Sequence, residues 1–289
     1  MKILIAYDGS DCADAALDDL HRAGLPPQAE AVVLSVVENW LPPPSSLEVM
    51  EAVDRRMEAM ALAERGATRL KSLMPGWNIE PESGFGTPAG VIMDKAERWK
   101  ADLMIVGSHG RSAMGRLFFG SVSQHLVHQA HCSVRVARGR LDEPGLPVRI
   151  IVGVDGSKYA QAAVQSVAAR NWPAGSEARI VNAAWSIPPT AHEPMMAHVA
   201  EWMARESATV KKMLEAAEKA LTAAGLKTTV VVKEEEPKKL LLSEAESWDA
   251  DSIFLGAKGV GRVERILVGS VSSAVAARAH CSVEVVHLT

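Results

Sequence analysis

Two stretches of this chain carry the residue types needed to hold a phosphate. Gly107-Ser-His-Gly110-Arg-Ser-Ala-Met-Gly-Arg-Leu-Phe-Phe-Gly120-Ser121 follows the apolar run "ADLMIV", and Gly256-Ala-Lys-Gly259-Val-Gly-Arg-Val-Glu-Arg-Ile-Leu-Val-Gly269-Ser270 follows "DSIFL". Both read Gly-x2-Gly-x9-Gly-Ser. Glycines let backbone N–H groups approach a ligand closely and allow turns with positive φ. Gly120-Ser121-Val122-Ser123 and Gly269-Ser270-Val271-Ser272 then each open a predicted helix. Such an N-terminus offers unpaired N–H donors, partial positive charge and, here, two hydroxyls. Asp8 and Asp155 end the first predicted strand of each half and lie at the same sheet edge. A carboxylate there repels bare phosphate but suits a ribose hydroxyl, a base edge or a phosphate-bound Mg²⁺. Phosphate donors beside a carboxylate point to a nucleotide.

Other chemistries fit less well. No Gly-x4-Gly-Lys-Ser/Thr run is present, so the P-loop is excluded. Gly84-Phe-Gly86-Thr-Pro-Ala89 reads as a turn and helix cap, since it does not follow the first strand. His192, His198 and Met195-Met196 lie around the start of a long helix without clustered carboxylates, and read as a solvated face. His131-Cys132 and His280-Cys281 are neighbours whose side chains diverge in a strand, which disfavours a catalytic pair. His109 and Arg111 in one loop, and Lys258 and Arg262 in the other, are candidates for γ-phosphate chemistry. No single base is shared by the two loops, and binding charge alone accounts for them.

The elements that position these residues occur twice. "KILIAYDGSDCADAAL" aligns with "RIIVGVDGSKYAQAAV" at an offset of 147, and "WKADLMIVGSHG" with "WDADSIFLGAKG" at 149. A period of this length marks a duplicated domain, not a solenoid. The predicted boundaries are 1–140 and 147–289, joined by the Gly- and Pro-bearing linker 139–147. Each half alternates apolar runs with helical patterns: strands over 2–7, "EAVVLSVVE" (30–38) and around 78–84, then "DLMIVG" and "SVRVAR". This predicts an α/β fold of two tandem Rossmann-like domains, each an open five-stranded, mainly parallel sheet flanked by helices.

The 289 residues suit two such domains, with 48% apolar and 23% charged residues. A formal charge of −4 gives no general attraction to nucleic acid or anionic membrane. The apolar run before Asp8 is too short for a signal peptide, and no window approaches a membrane span. Three widely spaced cysteines read as free thiols. The expectation is a cytoplasmic protein.

The "YDGS" and "VDGS" strand ends and the doubled glycine motif resemble the universal stress protein family, in its ATP-binding branch, over almost the whole chain. The resemblance implies ATP with Mg²⁺ as ligand. It implies adenine near Asp8 and Val36 in the first half and Asp155 and Ala183 in the second. Around these it implies a cradle of Ala6, Val106, Gly107, His109, Gly110, Arg111, Gly120, Ser121, Val122 and Ser123. The second cradle is Gly153, Leu255, Gly256, Lys258, Gly259, Gly269, Ser270, Val271 and Ser272. The chain departs from the family at Ser133 and Ser282, where a proline is usual, and at Ala183, where Val is usual. The resemblance also implies pairing of the final strands, here as an intrachain pseudo-dimer with room for a further homodimer. Arg135 and Glu284 are equivalent, so unlike halves would bring opposite charges together, and exchanging the two charges should preserve that preference. Three functions stay open: a nucleotide-binding stress-response regulator, a slow ATP hydrolase or phosphoryl-transfer enzyme, and a nucleotide-free interaction module.

Overall fold

Apolar runs become strands, and the residues that end them start helices. In the computed structural model, residues 1–38, 46–110, 119–139, 145–184, 193–259 and 268–288 are described, without the side chains of 46–53 and 193–207. Arg111, Arg262 and most of the linker and proline-rich loop lie outside these residues. The first half runs β1 (Lys2–Ala6), α1 (Asp11–Asp18) with a 3₁₀ turn (Asp19–Arg22), β2 (Glu30–Val37), α2 (Ser46–Leu73), β3 (Asn78–Phe85), α3 (Pro88–Trp99), β4 (Leu103–Gly107), α4 (Ser121–Gln129) and β5 (Ser133–Ala137). The second runs β6 (Arg149–Gly153), α5 (Lys158–Ala168), β7 (Glu177–Ala183), α6 (Glu193–Ala223), β8 (Lys227–Lys233), α7 (Pro237–Ser247), β9 (Ser252–Gly256), α8 (Ser270–Arg278) and β10 (Ser282–Val286). The repeat offset changes between the starts of β2 and β3, the stretch that contains the long helices α2 and α6.

The strands form one ten-stranded sheet in the order β3-β2-β1-β4-β5-β10-β9-β6-β7-β8. Each half is parallel and doubly wound, with its order reversing between β1 and β4, or between β6 and β9. The halves meet where β5 and β10 pair antiparallel, with Arg135 directly opposite Glu284. The pseudo-dimer expected from the family resemblance is thus the observed fold. On one face a single apolar layer spans both halves, with Leu126 of α4, Leu240 of α7 and Val275 of α8 packed over Val134, Val136, Val283 and Val285. On the other face each half keeps its own core, under α1 and α2 or under α5 and α6.

The centre of that second face is closed by charge. Arg135 and Glu284 are 0% and 1% exposed. Arg135 Nε donates to Asp19 at 2.7 Å, while its Nη1 stands 3.6 Å from Glu284 Oε2. Arg170 donates to the other Glu284 oxygen. Asp19, Arg135, Glu284 and Arg170 therefore form a row of alternating sign. Burial works against the charge on Arg135, but Asp19 and Glu284 outweigh it and hold its pKa above the ordinary value. A second buried pair, Arg22 with Asp251 at 2.8 Å, also joins the halves. The row corrects one expectation: exchanging Arg135 and Glu284 would set a glutamate beside Asp19 and an arginine beside Arg170.

Ser133 and Ser282, the departures from the family's proline, serve the same seam. Arg138 N donates to Ser282 Oγ at 2.8 Å, and His287 N to Ser133 Oγ at 3.2 Å. Arg138 and His287 are themselves equivalent in the repeat, so the two bonds are related by the pseudo-two-fold. A proline ring would have no hydroxyl to accept them.

His287 also makes the seam sensitive to acid. Desolvation, aided by the nearby His131 and Lys258, pushes its pKa down to about 4. The folded chain binds this proton less readily than the unfolded one. Stability is therefore full above about pH 6.5 and declines as pH falls toward 4, by up to about 3 kcal/mol. Urea unfolding of wild type and His287→Gln across this range should show a shallower decline in the variant; parallel curves would refute the assignment.

Candidate functional site

The order reversal between β1 and β4 leaves a crevice at the carboxyl ends of the strands, the place where open α/β sheets receive ligands. Ala6, Val36, Val106 and Gly107 lie at these ends in the first half, and Gly153, Ala183, Leu255 and Gly256 in the second. Immediately beyond β1 the chain turns at Gly9 (φ +75°), and beyond β6 at Gly156 (φ +91°). These turn glycines let Asp8 Oδ1 and Asp155 Oδ1 accept from the backbone N–H of Ser10 and Ser157, both at 3.0 Å. Ser10 and Ser157 in turn cap α1 and α5 by accepting from Ala13 N and Ala160 N.

The described glycines of the doubled motif serve close approach, not positive φ. Gly120 and Gly269 sit at φ −65° and −71° as helix N-caps. A Cβ on Gly110 would stand 2.7 Å from Asp8 Oδ2, and one on Gly259 equally 2.7 Å from Asp155 Oδ2. On Gly107 it would meet the Cys12 carbonyl oxygen at 2.9 Å, and on Gly256 the Tyr159 carbonyl carbon at 2.5 Å. Backbone bonds from Gly120 N to Ser108 O (2.8 Å) and from Gly269 N to Ala257 O (2.6 Å) close each loop at its base.

Each loop delivers the chain to a helix start. The N-cap of α4 is Gly120 and that of α8 is Gly269, and neither makes a side-chain cap bond, in contrast to the serine-capped α1 and α5. Of the two hydroxyls there, Ser121 and Ser270 are exposed. Ser123 and Ser272 are buried and donate to the carbonyls of Gly107 and Gly256, both at 2.7 Å, tying the helix to the strand end. Val122 and Val271 pack against the shared apolar layer. The arrangement is an open helix N-terminus facing a carboxylate across a glycine-lined edge, built twice. A groove of about 570 Å³ lies elsewhere, between β3 and α3, lined by Glu82, Gly84, Val91, Lys95 and Trp99 among others. Asp94 lines it too, but neither Asp8 nor Asp155 does, nor any glycine of the doubled motif.

The two edges differ at three touching positions. In the first, His109 Nε2 is 3.0 Å from Cys12 Sγ and Nδ1 is 3.1 Å from Ser108 Oγ. Both ring nitrogens therefore face protein groups. In the second, Tyr159 replaces Cys12, Lys258 replaces His109 and Ala257 replaces Ser108, with Lys258 Nζ 5.9 Å from the Tyr159 ring centroid. Asp8 is half-buried, whereas Asp155 is exposed. The thiol–imidazole contact joins residues 97 apart and escapes a reading of local motifs. Its one trace in the sequence is that equivalent positions in the two halves change together.

Fold and edge together define a tandem, doubly wound α/β protein with a glycine-built ligand edge in each half. The chain belongs to the universal stress protein family, whose sequence model matches residues 1–138 and 148–287. A universal stress protein of Thermus aquaticus is 37% identical over 145 residues, covering 47% of this chain and 97% of that one. Universal stress protein Rv2005c of Mycobacterium tuberculosis is 26% identical over 286 residues, 94% of this chain and 92% of its own. The crystal structure of a universal stress protein from Archaeoglobus fulgidus shares the fold over 99% of this chain and 96% of its own, with a TM-score of 0.66 at 20% identity. Among the described residues no helix is long and apolar enough to cross a membrane. Among them, too, no three His, Cys, Asp or Glu residues gather as a metal cluster.

Proposed function

We propose that the chain binds an adenine nucleotide, ATP with Mg²⁺, at the β1–β4 edge of at least its first half. On this reading it acts as a stress-response regulator through nucleotide-dependent shape or partners. The observation that carries the proposal is the helix N-terminus of α4, left without a side-chain cap beside a glycine-lined edge. Residues present fit such a ligand. The first-turn N–H groups of α4 and the exposed Ser121 hydroxyl suit phosphate oxygens. Asp8, at the opposite wall, suits a ribose hydroxyl, a base edge or phosphate-bound Mg²⁺. Val36 and Ala6 offer strand-end backbone and apolar surface for a base. The second edge repeats this set with Asp155, Ala183 and Ser270, with Lys258 adding a fixed positive charge.

The nucleotide supplies its own phosphoryl chemistry when bound; the chain's part is to position it. The test is extraction of the purified full-length protein followed by mass identification of small molecules. The expected result is ATP or ADP in near-stoichiometric amount, or stoichiometric uptake of added ATP·Mg²⁺ by nucleotide-free protein. Absence of both extracted nucleotide and uptake of added ATP·Mg²⁺ would overturn the proposal. Phosphate release well beyond one equivalent would replace the regulator by the hydrolase.

A further inference from the structure

The first edge contains a nucleophile, a base and an orienting group in contact. With Nδ1–H donating to Ser108 Oγ at 3.1 Å, His109 Nε2 is left to accept the Cys12 thiol proton at 3.0 Å. Cys12 is the second residue of α1, within the first turn, where the helix end favours negative charge. Asp11 and Asp14 share that turn and Asp8 precedes it, so these carboxylates oppose a thiolate and leave the imidazole contact to decide. Arg138 also lies within electrostatic reach: burial pulls its pKa down, and charge on Cys281 and Cys12 pulls it back. Cys12 and His109 are both partly open to solvent.

We propose that Cys12 and His109 form a thiol–imidazole pair that makes Cys12 the chain's site of oxidation by hydroperoxides. The sulfur attacks one peroxide oxygen, the S–O bond forms and the O–O bond breaks. Sulfur is oxidised and the peroxide is reduced. The thiol proton passes to His109 Nε2 and then to the departing oxygen, leaving a Cys12 sulfenic acid and water or an alcohol. The other thiols lack this arrangement. Burial pushes Cys132 up to about 11 and Cys281 up to about 12, so both stay protonated. The second half has no counterpart, since Tyr159 and Lys258 stand in these places. Peroxide chemistry is thereby confined to one of two otherwise parallel edges. The inference does not depend on nucleotide binding.

The experiment exposes the full-length, reduced protein to hydrogen peroxide with dimedone and quantifies the adduct at each cysteine by peptide mass spectrometry. Cys12 should carry roughly tenfold more adduct than Cys132 or Cys281. Exposure alone would favour Cys12 over the buried Cys281, so the deciding readout is its rate in His109→Gln, which should fall about fivefold or more. Ser108→Ala matches the residue native to the second loop, and should slow the reaction severalfold if His109→Gln does not fold. Equal labelling of the three cysteines would overturn the proposal. So would an unchanged Cys12 rate in the folded variant.

Discussion

Glu284→Arg should lower the melting temperature of the full chain by on the order of 10 °C. The side chain is 1% exposed and stands opposite Arg135 across the β5–β10 seam. Its oxygens face Arg135 and Arg170, both buried. Reversing its charge gathers three arginines where water cannot screen them. Breaking a buried pair by removing one partner costs about 3–5 kcal/mol, chiefly because the remaining charge stays desolvated. The double variant Arg135→Glu with Glu284→Arg separates an isolated pair from the alternating row. An isolated pair would be restored by the exchange. In the row, the new glutamate meets Asp19 and the new arginine meets Arg170, so the double variant should be no more stable than Glu284→Arg alone. Thermal unfolding followed by circular dichroism measures both, and recovery of the wild-type midpoint would refute the row.

The same row favours pairing of the two unlike halves over pairing of like ones. A half pairing with its own copy would set Arg135 against Arg135, or Glu284 against Glu284, at a buried position. Like charges held there penalise the wrong pairing more than the right one is rewarded. The surface-pair energies appropriate to exposed strands therefore understate the effect.

What the sequence made legible is the part written in period and punctuation. The duplication, the strand–helix alternation and the Asp-Gly-Ser turns each depend on residues close in the chain. The seam was legible because the two final strands are copies, so Arg135 and Glu284 could be matched by offset. Their outer partners were not. Asp19 has Ser166 at its equivalent position and Arg170 has Ala23, so the repeat gives no sign of either. The roles of Ser123 and Ser272 were also hidden, because a helix-start serine reads the same whether it faces a ligand or a strand carbonyl. Cys12 and His109 meet only because α1 packs its first turn on the end of β4, against Gly107.

Gly120→Val should remove nucleotide binding at the first edge while leaving the fold in place. A Cβ there would lie 3.1 Å from the backbone His109 Cα, which must give by a few tenths of an ångström, and at ordinary contact distance, 3.6 Å, from Ser123 Oγ. The backbone is at φ −65°, open to any residue, so the substitution adds no backbone strain at that position. The branched side chain would instead stand over the N–H groups that open α4. Loss of that approach should weaken binding at least about 100-fold, equivalent to about 2.7 kcal/mol. The corresponding change in the second half is Gly269→Val.

Calorimetric titration of ATP·Mg²⁺ into nucleotide-free full-length protein, wild type beside the Gly120→Val, Gly269→Val double variant, tests the central claim most directly. Saturable binding to the wild type, with one or two equivalents and its loss in a variant of unchanged melting temperature, is the predicted result. Equal binding by both proteins, or none by the wild type, would contradict it.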